Sequence, residues 1–160
     1  MKYWFTSDTH FGHANIIGYT GRPFKDVIHM NEELIRRWNT RVKPDDTVFH
    51  LGDFAMMGGS YQKYLNRLNG NIVWIAGNHD KKPIIKDMII EHGGHHWHLA
   101  HNPQDCHGEY NLCGHVHEKW KARRQENNHI YINVGVDQWD FYPIDIKQIL
   151  KAMEDAKNGI

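Results

Sequence analysis

The chain has no excess charge of either sign. Its 19 Lys and Arg residues balance 19 Asp and Glu residues. That balance excludes the broad basic surface needed to hold duplex nucleic acid or an anionic membrane, and leaves room only for a local basic patch. Cysteine is scarce: Cys106 and Cys113 are the only two, too few for a disulfide framework at 160 residues. They read as reduced thiols, with Cys113 packing as a small hydrophobe. No apolar run approaches the length of a membrane span. The opening MKYWFTSDTH reaches polar residues too early for a secretory leader. The expectation is a cytoplasmic protein with no membrane partner. Repeats, low-complexity stretches and dividing linkers are also missing, so residues 1–160 are expected to form a single domain with no separate cap domain.

What the chain has in quantity is histidine, 14 in all. Several cluster, as in EHGGHHWHLAHN (91–102) and GHVH (114–117). A His-rich chain is either a metal protein or one with histidines on its surface, so position must decide.

Strand-like and helix-like segments alternate. KYWFTS (2–7), DTVFHLGDF (46–54), NIVWIAGNHD (71–80), WHLAH (97–101), EYNLCGHVH (109–117) and HIYINVGVD (129–137) read as strands, several running into loops. Val27, Met30, Leu34, Trp38 and Val42 recur at three- and four-residue steps, which predicts a helix with Asp26 as its N-cap and Pro44 beyond its end. SYQKYLNRL (60–68), KPIIKDMIIEHG (82–93) and IDIKQILKAMEDAKNG (144–159) are expected as helices, the last capped by Asp145. GYTGRPF (18–24) is expected as a loop. The alternation argues for a layered α/β domain, whose ligands bind beyond the carboxyl ends of strands.

Polar clusters fall at those ends: SDTH (7–10), GD (52–53), GNHD (77–80), LAHN (99–102) and GHVH (114–117). Each alone is ordinary; their recurrence after strand upon strand is not. Together they supply Asp8, His10, Asp53, Asn78, His101, His115 and His117. This oxygen-and-nitrogen set lacks thiolate and suits borderline divalent ions such as Mn, Fe, Zn or Ni. Seven donors exceed the need of one tetrahedral ion, whereas two ions sharing a carboxylate would use them all. Glycine before Asp53, Asn78 and His115 is expected to let the backbone turn sharply.

The series D-x-H, G-D, G-N-H-D, H and G-H-x-H resembles the calcineurin-like metallophosphoesterase superfamily. The opening SDTHFGHANII is similar to its small bacterial and phage members, and NVGVD (133–137) resembles the family's last core strand. The resemblance implies two β-sheets packed as a sandwich flanked by helices, in four αββα layers. It also implies that Asp8 and His10 bind a first metal, Asp53 bridges, Asn78 and His101 join a second, His115 goes to the second and His117 to the first. His95, His96 and His98 are the nearby alternatives to His101.

Two ions about 3.5–4 Å apart can clamp a phosphoryl group and activate a shared water for in-line attack. His79, beside a ligand but not needed as one, is the natural general acid, as the equivalent histidine is in the family. Asp80 is expected to orient its ring. His13 either touches substrate phosphate or packs on its loop. Arg22 either clamps phosphate through its planar fork or is a solvated loop arginine. EKWKARRQ (118–125) either grips a polyanion or is a solvent-facing connector. Trp97, Trp120 and Trp139 read as packing residues, with Trp120 also able to stack a base.

The reading is a dinuclear-metal phosphoesterase acting on phosphate mono- or diesters, with small phosphate-ester or nucleotide substrates best suited to an open site shaped by loops 11–24, 55–60 and 118–128. Zero net charge argues against long nucleic acid. The alternatives are a nuclease for short single strands, a non-catalytic interaction module on the same fold, and a His-rich metal store. Oligomeric state is not legible.

Overall fold

The computed structural model describes residues 1–56, 60–81 and 85–160. Its first sheet holds three parallel strands in the order β1 (Tyr3–Thr6), β2 (Thr47–His50), β3 (Asn71–Trp74). The second holds β4 (Asp87–His92), β5 (His95–Ala100), β6 (Tyr110–Cys113), β7 (Ala122–Arg124) and β8 (Ile130–Asn133), ordered β4-β5-β6-β8-β7. Here β5, β6 and β8 run parallel, while β4 and β7 lie antiparallel at the two edges. Helices α1 (Asn15–Thr20), α2 (Val27–Arg41), α3 (Gln62–Leu65) and α4 (Ile146–Lys157) flank the sheets. None of the described helices is long and apolar enough to cross a membrane.

Alternation along each strand sorts side chains between two cores. Phe5, Phe49, Leu51 and Ile75 face Trp97, Leu99, Leu112 and Ile132 in the core between the sheets, which α4 completes with Ile149 and Met153. Trp4 and Val48, one residue out of phase, face Met30, Leu34 and Trp38 of α2. Each fully buried side chain of this size contributes about 1.5–3 kcal/mol. The ends of α2 and α4 are set by their caps. Asp26 accepts the His29 N–H at 2.7 Å, and Asp145 and Gln148 form a reciprocal capping box.

Three segments differ from the sequence reading. Of the helix expected over 82–93, residues 82–84 lie outside the described residues, and Asp87–His92 is strand β4. Met88 and Ile90 turn toward the core while Ile89 is exposed, a period of two that a helical reading of MII overlooks. Gly93 and Gly94, at φ 61° and 79°, join His92 to its partner His95. Two positive-φ residues are the signature of a tight hairpin, not of a helix stop. The basic run is neither wholly connector nor loop, because Ala122–Arg124 pairs antiparallel with β8. Charge on a short edge strand blocks further pairing. Asn15–Thr20 is one short helix, so Gly18, Tyr19 and Thr20, expected in the 18–24 loop, belong to its last turn, and only residues 15–17 had no expectation.

Parallel pairing decides where the loops meet. Ser7 forms a parallel bridge with Gly135, so the chain leaving β1 lies alongside the chain leaving β8. The carboxyl ends of β1, β2, β3, β5, β6 and β8 therefore open onto one place.

Candidate metal centre

Asp8 and His10 follow β1, Asp53 follows β2, Asn78 follows β3, His101 follows β5, and His115 and His117 follow β6. The fold gathers six of these seven into two triads, Asp8–His10–His117 and Asp53–His101–His115, each with donor atoms within 4.8 Å of one another.

Hydrogen bonds orient the two carboxylates and His101, leaving one atom of each facing inward. Asp8 Oδ2 accepts from Ser7 Oγ at 2.7 Å and the His115 N–H at 2.9 Å. Asp8 Oδ1 is left 3.8 Å from His10 Nε2 and 3.7 Å from His117 Nε2. Asp53 Oδ1 accepts the His79 N–H at 2.9 Å. Its Oδ2 lies 3.7 Å from His10 Nε2 and 3.2 Å from His101 Nε2, so this carboxylate faces both triads. His101 uses Nδ1 on the Leu51 carbonyl at 2.7 Å and presents Nε2, which is 3.0 Å from Asn78 Oδ1. The alternatives on β5 stay away: His98 accepts the His107 N–H and approaches Asp87.

Among the described residues four buried side-chain polar atoms lack a hydrogen-bond partner, and three are here: Asp8 Oδ1, His10 Nε2 and His115 Nδ1. An unsatisfied buried polar group costs about 1–3 kcal/mol. Separations of 3.7 and 3.8 Å are too long for hydrogen bonds. Inward-facing carboxylate oxygens and imidazole nitrogens without partners fit divalent cations, and the absence of thiolate fits ions of the oxygen- and nitrogen-preferring kind.

The backbone is strained to the same end. Asp8, His10, Asp53, His115 and His117 have φ of 57°, 52°, 54°, 71° and 45°. They are five of the eight positive-φ residues other than glycine that are described. Such conformations cost about 1–3 kcal/mol each and persist only when the surroundings enforce them. The neighbouring glycines act differently from the expectation of sharp turns. Only Gly52 has positive φ, at 101°. Gly77 and Gly114 are required for close approach, since a Cβ would collide with Asp53 in one case and with Ser7 and Asp8 in the other.

The charges are strongly coupled. Burial alone would raise the Asp8 carboxyl, but the imidazoles of His10, His101 and His117 hold it far below the usual range. Asp53 is likewise raised by burial and lowered more by His101. Burial pulls His101 down, yet the adjoining Asp53 and the charge of Asp8 lift it to about 9. Burial also opposes protonation of His117, and Asp137 outweighs it. His115 is lowered by burial and by His101. Without cations, protons on imidazole supply the positive charge these carboxylates need.

Two residues are employed differently from their expected roles. Arg22 is neither a phosphate clamp nor a solvated loop residue. It is buried, grips Asp137 with two N–H groups at 3.0 Å, and donates to the carbonyls of Asp8 and Thr9 at 2.7 and 2.9 Å. Asp80 does not accept from the His79 ring. Its carboxylate takes the N–H groups of Asp53, Phe54 and Gly77 and the Trp74 indole N–H, tying the turn that carries Asp53 to the loop that carries Asn78. His79 itself is exposed, its ring 5.8 Å from that of His10 between centroids. His13 is at the site, its Nδ1 3.2 Å from His10 Nδ1.

Asp137 is the residue the sequence reading missed. Its Oδ2 lies 3.3 Å from His117 Nδ1, so it orients one triad histidine while Arg22 holds it. The signal was present, because NVGVD ends in a carboxylate just past a strand, as the other clusters do.

A family model for calcineurin-like phosphoesterases matches residues 1–154. An uncharacterized protein of Methanocaldococcus jannaschii is 37% identical over 169 aligned residues, covering 98% of this chain and 93% of that protein. Among solved structures, a protein of unknown function from Aquifex aeolicus matches with a TM-score of 0.72 at 27% identity, over 94% of this chain and 98% of that one. Vps29 from Entamoeba histolytica, solved in complex with zinc, shares the fold at a TM-score of 0.50 and 18% identity, over 84% of this chain and 74% of that one. With two sheets flanked by helices, two triads at their common edge and a family match that runs almost from end to end, the chain belongs to the calcineurin-like phosphoesterase family.

Proposed function

We propose that this chain is a hydrolase of phosphate mono- or diesters that works with two divalent ions. Asp8, His10 and His117 would hold one, Asn78, His101 and His115 would hold the other, and Asp53 would serve both. The observation that carries this reading is Asp53 Oδ2, 3.7 Å from His10 Nε2 and 3.2 Å from His101 Nε2, beside three buried atoms without hydrogen bonds. Bound there, Mn, Fe, Zn or Ni would polarise phosphoryl oxygens and lower the pKa of a water toward neutrality.

The chain supplies position and a proton. Asp137 fixes the His117 ring through Nδ1, and the Leu51 carbonyl fixes His101 in the same way. Partners on the far nitrogen set both the tautomer and the ring orientation. The backbone N–H of His79 is anchored on Asp53 Oδ1 at 2.9 Å, which leaves its exposed imidazole able to donate an N–H proton to the leaving oxygen. His13, hydrogen-bonded to His10, stands at the rim to meet a phosphoryl oxygen.

Elemental analysis of purified protein, paired with a panel of chromogenic mono- and diesters and cyclic nucleotides, tests the proposal. Two ions per chain and metal-dependent ester cleavage are expected. His79→Ala should retain metal and lose about 10²–10⁴-fold in turnover, most for alkyl esters, whose leaving oxygen most needs a proton. Full turnover in that variant would reject His79 as the acid. Metal-replete protein that cleaves no ester would reject the hydrolase.

A further inference from the structure

A cleft of about 300 Å³ opens beside the second triad, and His115 forms one of its walls. Trp120, Arg123, Tyr131, Gln104 and Gln125 line it further. The ester chemistry above uses none of these five. Trp120 packs on a small cluster of Ala100, Cys106, Cys113 and Tyr131, which leaves it half-buried. The Arg123 guanidinium lies 4.8 Å from the Trp120 ring centroid. Gln104 and Gln125 are exposed and offer amide donors and acceptors.

This wall is fixed relative to the triads. The Asn133 side-chain amide donates to the carbonyls of both His117 and Trp120 at 2.9 Å. One amide therefore locks a triad histidine and the indole into the same short loop.

An indole beside a guanidinium, with carboxamides around it, suits a flat heteroaromatic ring whose edge both donates and accepts hydrogen bonds. Such a ring next to a phosphoryl site is a nucleobase joined to phosphate through its sugar. The volume lies at the low end for ligand pockets, enough for one base and not for a strand. Zero formal net charge supplies no broad basic surface to extend the site for a longer polyanion.

We infer that this cleft receives the base of a nucleoside phosphate ester whose phosphoryl group sits at the two triads. The inference rests on the phosphoesterase reading and narrows its substrate class to mononucleoside esters.

Two diesters with the same leaving group separate the two claims: thymidine 5′-p-nitrophenyl phosphate and methyl p-nitrophenyl phosphate, assayed on metal-loaded protein. The nucleoside ester should show a KM at least tenfold lower. Trp120→Ala should bring that ratio toward one, and Trp120→Phe, which keeps a stacking face, should restore most of it. Arg123→Gln, at an exposed edge position, should reduce it part of the way and guards against a misfolded Trp120 variant, which thermal melting identifies. Equal KM values for the two esters in the wild type would overturn the base cleft and leave the hydrolase standing. If neither diester turns over, diester cleavage fails while the monoester arm of the hydrolase is judged by the panel above, and calorimetry on the same protein judges the cleft. Nucleoside 5′-monophosphates binding no tighter than ribose 5-phosphate would overturn it, and tighter binding would support it. Affinity that climbs steeply with oligothymidylate length and collapses with salt would replace the single-base reading by a single-strand one.

Discussion

His117 Nδ1 lies 3.3 Å from Asp137 Oδ2, and the opposite nitrogen of the ring faces Asp8. A carboxylate behind a ligating histidine makes it a better donor and holds its plane. Asp137→Asn is expected to lower affinity for the ion at the Asp8 triad about 10–100-fold and to leave the second ion in place. Competitive metal titration would show two ions lost at different chelator strengths, where the parent loses them closer together. Coincident release in the variant would deny Asp137 this role.

Arg22 and Asp137 form a buried pair, their side chains 0% and 3% exposed. Breaking such a pair from one side leaves an uncompensated buried charge, at a cost of about 3–5 kcal/mol. Arg22→Ala should therefore shift the urea midpoint of metal-free protein sharply downward. Unchanged stability with only a raised KM would instead return Arg22 to phosphate binding.

Asp80 and His79 are neighbours with opposite employment. Asp80 accepts four N–H groups, and hydrogen bonds to a charged group are worth about 1.5–3 kcal/mol each. Asp80→Ala should lose at least about 3 kcal/mol and much of the bound metal, because both loops it ties come loose. His79→Ala should stay within about 0.5 kcal/mol of the parent. Denaturant melts of the two variants side by side decide this, and equal losses would contradict it.

His101 sets a pH dependence of metal-free protein. Its imidazole is lifted to about 9 in the fold, above about 6.5 in the unfolded chain. The folded state therefore binds the extra proton, and the associated stability is fully present below pH 6.5. It fades as pH rises through 9. Metal must displace that proton, so metal affinity should climb over the same window. Urea melts and metal titrations from pH 6 to 10 should slope in opposite directions; parallel slopes would sink the coupling.

Much of the candidate metal centre was legible because its chemistry is written locally. A carboxylate or imidazole just past an apolar run is recognisable wherever it occurs, and five such clusters were visible. Asp137 escaped because its partners, Arg22 and His117, are 115 and 20 positions away. Asp80 was misjudged for a similar reason. Sequence adjacency suggested the His79 ring, while three of the N–H groups it accepts lie on Gly77, Asp53 and Phe54. Strand β4 was misread because three apolar residues in a row, Met88 to Ile90, carry no period of their own.

By itself the amino-acid sequence determined which donors the chain carries, that they follow strands, and that two of its helices begin at Asp26 and Asp145, since side-chain type, alternation and capping act within a few residues. The family resemblance anticipated the grouping of the donors, but only tertiary structure assembles the triads, turns Asp53 toward both and spends Arg22 on Asp137. Those choices depend on the parallel pairing of distant strands, which brings to one edge residues that nothing in their local sequence could join.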